Sequence, residues 1–320
     1  MRRGERQEQG PAGPGHPPDA WEDVRARIAR EVVGREPELE LILAAVVTGR
    51  DLVLEGPPGT SKTTILRAIT GAWGIPLVLV EGNAELTPGR LIGHHDPARV
   101  LQEGYTPDTF VPGPLVRAMQ DGGFLHVEEL NRAPEDTLNA LLTAIADREL
   151  AVPRVGTIRA MPTFRVVGSM NPFDNVGTTR LSTSMRDRLC RMPIGYQDAA
   201  AERAIVALRA TATSGAASPA YVVGDAVAVT RMTRRHESVR QGSSVRGAID
   251  LALLTTELCA VRGIVEADDE RYAPTVLDAM RLALSGRVLV DEAADVDVAT
   301  VLREIWEQHF VLDPAAARPG

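Results

Sequence analysis

Gly56-Pro57-Pro58-Gly59-Thr60-Ser61-Lys62-Thr63 sets a loop of small residues directly ahead of a lysine and a hydroxyl. That order suits a polyphosphate. Glycines let backbone N–H groups converge on phosphate oxygens, Lys62 supplies a flexible cation for the terminal phosphates, and the Thr63 hydroxyl offers an oxygen ligand to Mg2+. The stretch fits G-x-x-x-x-G-K-[ST] at every fixed position except Ser61, where the pattern has glycine. Serine is small and keeps its backbone N–H, so phosphate binding is expected to survive the exchange. A second chemical feature is the carboxylate pair Glu128 and Glu129, which closes the apolar run Phe124-Leu125-His126-Val127. In an open parallel sheet, ligands gather beyond the carboxyl ends of the strands, which would bring this pair toward Lys62 and Thr63. One acid would hold Mg2+, and its neighbour, facing the opposite way by strand alternation, would polarise an attacking water.

These roles demand particular elements around them. Leu52-Val53-Leu54 supplies a buried strand before the loop, and Thr64, Ile65, Leu66, Ala68 and Ile69 supply a helix after it. Further strands are predicted at Leu77 to Val80, Phe124 to Glu129, Phe164 to Ser169 and Met192 to Ile194, with helices between them at Leu115 to Gln120 and from Glu135 through Leu138, Leu141, Leu142 and Ile145. Strands alternating with helices indicate an α/β fold with a parallel sheet flanked by helices. Ahead of the loop, Val24, Ile28 and Val32 recur at helical spacing behind Asp19 as a cap, and Val33-Gly34-Arg35 breaks that helix before another at Glu36 to Val47. Turn residues near 93–111 and 149–162 predict two hairpin insertions. Past Tyr196 the pattern is helical, over 199–210, 224–235, 244–262, 274–285 and 298–310. The expected division is a flexible tail at 1–19, a nucleotide-binding core at 20–196, a smaller all-helical lid at 197–313 and a short tail at 314–320.

The chain has 320 residues, 44% hydrophobic and 24% charged, the balance of an ordinary soluble protein with room for two cores. A net charge of −8 argues against a general nucleic-acid binder. The basic segment Arg231 to His236 lacks aromatic platforms and reads as a solvated helix face. Asp268-Asp269-Glu270 reads as a solvated turn. Cys190 and Cys259 show no metal or redox spacing and are expected to be small buried residues. His94 and His95 read as solvated, and His126 as a core histidine with its hydrogen bonds satisfied. No run approaches 18 apolar residues and the N-terminus lacks the apolar core of a leader, so the expected location is cytoplasmic.

Taken in order, these motifs resemble the AAA+ ATPases, and within them the MoxR-type group, over about residues 20 to 312. The resemblance rests on Val33-Gly34-Arg35, the loop GPPGTSKT, the acid pair followed by LNRAP at Leu130 to Pro134, SMNP at Ser169 to Pro172, SMRDRL at Ser184 to Leu189, and GSSVRGAIDLA in the second domain. It implies an ATP-hydrolysing core with Mg2+. Val33, Gly34 and the residues Gly56 through Thr64 would bind nucleotide, with Thr63 and Glu128 serving the metal. The implied catalytic set is Glu129, Asn171 as a sensor positioning water, Arg188 as a finger reaching a neighbour's ATP, and Arg246 as a second sensor from the lid. Arg186 competes for the finger role. Glu128 stands where the group has aspartate, one methylene longer toward Mg2+, a re-spacing that can slow hydrolysis. The resemblance further implies a homo-hexameric ring, a partner carrying a von Willebrand factor A domain, and a chaperone-like role in maturing an enzyme or inserting its metal. Two other readings fit the motifs: a nucleotide-gated interaction module with little hydrolysis, and a DNA-remodelling ATPase. The sequence names no client.

Overall fold

The computed structural model describes residues 21–172, 180–215 and 217–312. The tails expected at 1–19 and 314–320 and the Asp19 cap lie outside the described residues. One structural unit runs to Gly195, apart from Pro58–Thr60, and the other runs from Tyr196 onward.

The first unit carries β1 (Asp51–Glu55), β2 (Leu77–Glu81), β3 (Gly93–His95), β4 (Phe110–Pro112), β5 (Phe124–Glu128), β6 (Glu149–Val152), β7 (Gly156–Arg159), β8 (Arg165–Met170) and β9 (Leu189–Pro193). Five of them form a parallel sheet in the order β2-β5-β8-β1-β9. β1 is buried along its whole length, which is why its sequence is an unbroken apolar run between two acids. Strand alternation splits the core in two. Val53, Leu125, Val127 and Val166 pack with the helices Pro114–Asp121 and Glu135–Asp147. Leu52, Leu54, Phe124 and Val167 pack with the helices Glu36–Val47 and Lys62–Trp73 on the other face. Each fully buried Leu, Ile or Phe in these layers contributes about 1.5–3 kcal/mol.

Both expected insertions are antiparallel pairs, β3 with β4 and β6 with β7. The first also holds a helix, Pro97–Glu103, capped by Asp96, whose side chain accepts from the N–H of Ala98 and Arg99. The Arg154 guanidinium lies 4.2 Å from the centre of the Tyr105 ring and joins one insertion to the other. His95 is packed edge-on against Tyr105 and Phe110, so it is less solvated than its sequence context suggests.

The second unit packs the helices Ala199–Ser214, Ala220–Thr233, Val245–Arg262, Tyr272–Leu284 and Val298–Glu307, followed by a π-helical turn Gln308–Leu312, around its own apolar core. It is mainly helical but carries one short antiparallel pair, β10 (Val239–Gln241) with β11 (Leu289–Val290). Strands of two and three residues are too short to show an alternation. The basic segment is corrected at Arg231 and Arg234, while Arg235 is exposed as expected. Arg231 and Arg234 grip the two oxygens of Glu202 at 2.8 and 2.7 Å, and the Glu202 side chain is only 2% exposed. Arg234 also stacks 3.9 Å from the Tyr196 ring and donates to Ser243 O at 2.7 Å. These arginines therefore belong to a buried ion network, not to a solvated face. Cys190 is likewise exposed, on the edge strand β9, whereas Cys259 is buried.

Candidate functional site

The end of β1 runs straight into the phosphate-type loop, and Gly56 N–H donates to Met170 O of β8 at 3.0 Å, so the loop is tied to the sheet from its first residue. Gly59 and Ser61 hold positive φ, 73° and 67°. Ser61 thus adopts the left-handed conformation that the motif's usual glycine takes without steric cost, about 1–2 kcal/mol dearer for an L side chain. Ser61 is the cap position of the helix Lys62–Trp73 but makes no side-chain cap hydrogen bond, so the hydroxyl does not occupy this N-terminus. Lys62 Nζ folds back over the loop and donates to Gly56 O at 2.9 Å and Pro57 O at 2.8 Å. Thr63 and Thr64 are the next two residues of the helix.

β5 delivers the acids to this loop. Thr63 Oγ1 donates to Glu128 Oε1, joining helix to strand end. A hydroxyl and a carboxylate in contact form a hard-oxygen donor set that fits Mg2+, an ion usually held by one or two protein groups plus substrate phosphates. Among the described residues no cluster of three or more His, Cys, Asp or Glu side chains forms an all-protein metal cage. Glu129 departs from the alternation argument. The strand ends at Glu128, Glu129 turns to φ 51°, and its carboxylate pairs with Arg132 at 2.9 Å. Its direction is therefore set by a left-handed turn and an arginine, not by the pleat.

Two neighbours of the acids were not singled out as functional by sequence. Gly82, just after β2, donates its N–H to Glu128 O at 2.7 Å, and a Cβ there would fall 2.4 Å from Glu129 O. His126 is fully buried, yet only Nε2 has a partner, Ser169 Oγ at 3.1 Å; Nδ1 has none. This corrects the expectation of a satisfied core histidine. Burial lowers the His126 pKa to about 4, opposed by Glu128 and reinforced by Lys62 and Arg67. The imidazole is neutral at pH 7, so its 4.0 Å approach to Glu128 Oε1 is not an ion pair.

The other expected site residues divide by location. Asn171 directly follows β8, whose Met170 is in register with Glu55, so it stands at the loop end of the sheet. Val33 and Gly34, the latter at φ 64°, are fixed by Arg35, which is 2% exposed and donates to Glu38 at 2.7 Å and to Gly195 O at 2.5 Å. Ile194 in turn donates to Glu55 O at 2.6 Å, so this turn is tethered to the same sheet end. Arg188 closes the helix Thr183–Arg188, is exposed, and donates to Ser184 O at 3.1 Å. The next residue, Leu189, is in register with Asp51, the start of β1. Arg188 therefore sits at the far end of β1 from Gly56, about 16 Å away along the strand. Arg186, also exposed, lies two residues earlier. Arg246, in the second unit, is exposed in the first turn of the helix Val245–Arg262, where Ser244 Oγ accepts its N–H at 3.3 Å.

Comparison with known proteins agrees with this arrangement. Residues 51–189 match the AAA domain of the dynein-related subfamily. An uncharacterised protein of Staphylococcus epidermidis is 25% identical over 241 residues, which is 73% of this chain and 90% of that one. Protein MoxR of Methylorubrum extorquens is 32% identical over 193 residues, 58% of this chain and 54% of MoxR. A RuvB variant of Thermotoga maritima shares the fold at a TM-score of 0.52 and 20% identity, covering 80% of this chain and 72% of RuvB. Strands β1, β2, β5 and β8 and the loop after β1 lie within the span that matches an AAA domain, and with the likeness to MoxR the family this chain resembles is the MoxR-type AAA+ ATPases.

Proposed function

We propose that the protein binds ATP with Mg2+ and hydrolyses it at the borders of a homo-hexameric ring. The observation that carries this reading is the contact of Thr63 with Glu128 beside the folded-back Lys62, which puts a cation for phosphate and oxygen ligands for Mg2+ at one helix start. In this reading the loop from Gly56 to Thr64 wraps the phosphates, with Val33 and Gly34 against the base. Thr63 and Glu128 hold the ion, which when bound would neutralise charge on the phosphates. Glu129 orients the attacking water, held meanwhile by Arg132, and Asn171 positions it. Arg246 acts as the second sensor.

Arg188 serves a neighbour's site. Its place at the opposite end of β1 from the loop supports action in trans, since an arginine side chain spans less than half of the ~16 Å between them. Resemblance to the MoxR-type group supports a cytoplasmic ring working with a von Willebrand factor A domain partner on a client enzyme, in maturation or metal insertion. Among the described residues no helix is long and apolar enough to cross a membrane.

The test is ATP turnover and binding by the full chain. Lys62→Ala is expected to abolish ATP affinity, and unchanged affinity in calorimetry would remove the loop assignment. Glu129→Gln and Arg188→Ala should each bind ATP and hydrolyse it poorly. Mixed rings of the two should regain turnover, because a border pairing an intact Glu129 with a neighbour's intact Arg188 forms only there. If mixed rings assemble without rescue, the shared site is wrong; if Arg186→Ala abolishes turnover and Arg188→Ala spares it, the finger is Arg186.

A further inference from the structure

β5 places a histidine where the rest of its buried length is apolar. Phe124, His126 and Glu128 alternate onto the face covered by the helix Lys62–Trp73, and Val167 and Ser169 of β8 share that face. The Nδ1 atom, buried without a hydrogen-bond partner, lies 4.0 Å from Glu128 Oε1. Leaving a buried polar atom unpaired destabilises the fold, a cost that leucine or phenylalanine in the same space would avoid. Packing alone therefore gives no account of the imidazole.

Resting on the ATP and Mg2+ reading above, we propose that His126 is a positioning residue for the metal-binding carboxylate, its Nδ1–H restraining Glu128 from below while Ser169 holds its Nε2. The hydrogen inventory selects this tautomer. Ionised glutamate only accepts, a serine hydroxyl can donate, and neutral imidazole has one N–H, so both neighbours are served when the proton is on Nδ1 and Ser169 donates to Nε2. A full hydrogen bond requires Glu128 to close by about 1 Å.

The restraint has a purpose particular to glutamate. Glu128 has one more rotatable bond than aspartate, and so more freedom to lose on holding an ion, which a fixed donor beneath it reduces. Thr63 already grips the same oxygen from the helix side. Ser169 lies two residues before Asn171, so the bridge also couples the acid strand to the strand that carries the proposed water-positioning amide.

The experiment uses Mn2+ as the probe, titrated calorimetrically into full-length protein saturated with ADP, alongside ADP affinity measured in chelator. His126→Phe is expected to weaken Mn2+ binding roughly 10- to 100-fold and to leave metal-free ADP affinity unchanged. His126→Asn, whose amide N–H stands near the place of Nδ1, should stay closer to wild type than to His126→Phe. Ser169→Ala, a small change that keeps the imidazole but leaves its Nε2 unpaired, should weaken Mn2+ about 3-fold or more and lower the urea midpoint while unfolding stays cooperative, and serves if His126→Phe folds poorly. Wild-type Mn2+ affinity in a folded His126→Phe or in Ser169→Ala, or a His126→Asn as weak as His126→Phe, overturns the inference. Failure of the wild-type protein to bind ADP would instead overturn the nucleotide reading.

Discussion

Gly82 offers a way to displace the acid pair without touching a charged group. Its N–H is bonded to Glu128 O at 2.7 Å, and a Cβ built there falls 2.4 Å from Glu129 O and 3.0 Å from both Glu128 O and Glu129 C. Ordinary contact begins at 3.4 Å, so Gly82→Ala makes the peptide at Glu129 retreat by about 1 Å. The obstacles are backbone atoms and cannot rotate aside as a side-chain tip would. Overpacking of this kind costs about 1–3 kcal/mol of stability. A shift of about 1 Å in a catalytic group costs on the order of 10²-fold in rate. On the proposed function, turnover at saturating ATP is therefore expected to fall about 10²-fold, while ADP affinity, which that reading assigns to Lys62 and the loop, stays within about 3-fold. Gly71→Ala is the control. Its Cβ meets nothing within 4 Å inside the helix Lys62–Trp73, so it should gain about 0.5–1 kcal/mol and keep its turnover. Wild-type turnover and wild-type stability in Gly82→Ala would refute the steric argument.

Three other perturbations follow from the same structure. Ser61→Gly relieves the left-handed conformation at φ 67° and, after the added flexibility of the unfolded chain, should raise unfolding stability by about 0.5–1 kcal/mol in urea; a loss would show that the serine contributes more than it strains. Glu202→Leu leaves Arg231 and Arg234 without their shared carboxylate and should cost about 3–5 kcal/mol, read as a lower urea midpoint for the second unit; a near-neutral result would mean that the arginines re-solvate freely. His126 titrates at about 4 in the fold against an ordinary 6.5, so the unfolded chain takes up its proton first as pH falls. Its neutral burial is fully compatible with folding above pH 6.5 and costs about 3 kcal/mol of stability by the time pH reaches 4. His126→Phe should remove that part of the acid slope, and parallel stability profiles for wild type and variant between pH 6.5 and 4 would rule it out.

How much of this was legible in the sequence depends on the length scale of each signal. β1 is buried on both faces and reads as an apolar run between two acids, and β5 and β8 read as mainly apolar runs interrupted at His126 and at Gly168-Ser169, so the parallel sheet is visible from composition along the chain. β10 and β11, three and two residues long, and the helix Pro97–Glu103, with none of its residues buried, carry no periodicity to detect. The network of Glu202, Arg231 and Arg234 was invisible for a different reason. Arg231 and Arg234 look like a solvated basic stripe until folding brings a glutamate some 30 residues away beneath them.

The site divides along the same line between local and cross-strand information. The phosphate loop is contiguous, so residue types and spacing suffice to place Lys62 and Thr63. The acid pair is contiguous too, yet its orientation is not, because Glu129 leaves the strand at φ 51° and alternation stops applying one residue earlier. Gly82 and His126 depend on register alone. Glu81 pairs with Glu128 and His126 with Val167, and these pairings bring Gly82 against the acids and set His126 beside Ser169. A register slip of one residue would turn His126 to the opposite face, away from Thr63 and Glu128, and leave β5 with an equally apolar sequence. What decides whether the carboxylates are held is thus the pairing of β2, β5 and β8, information that no single strand carries by itself.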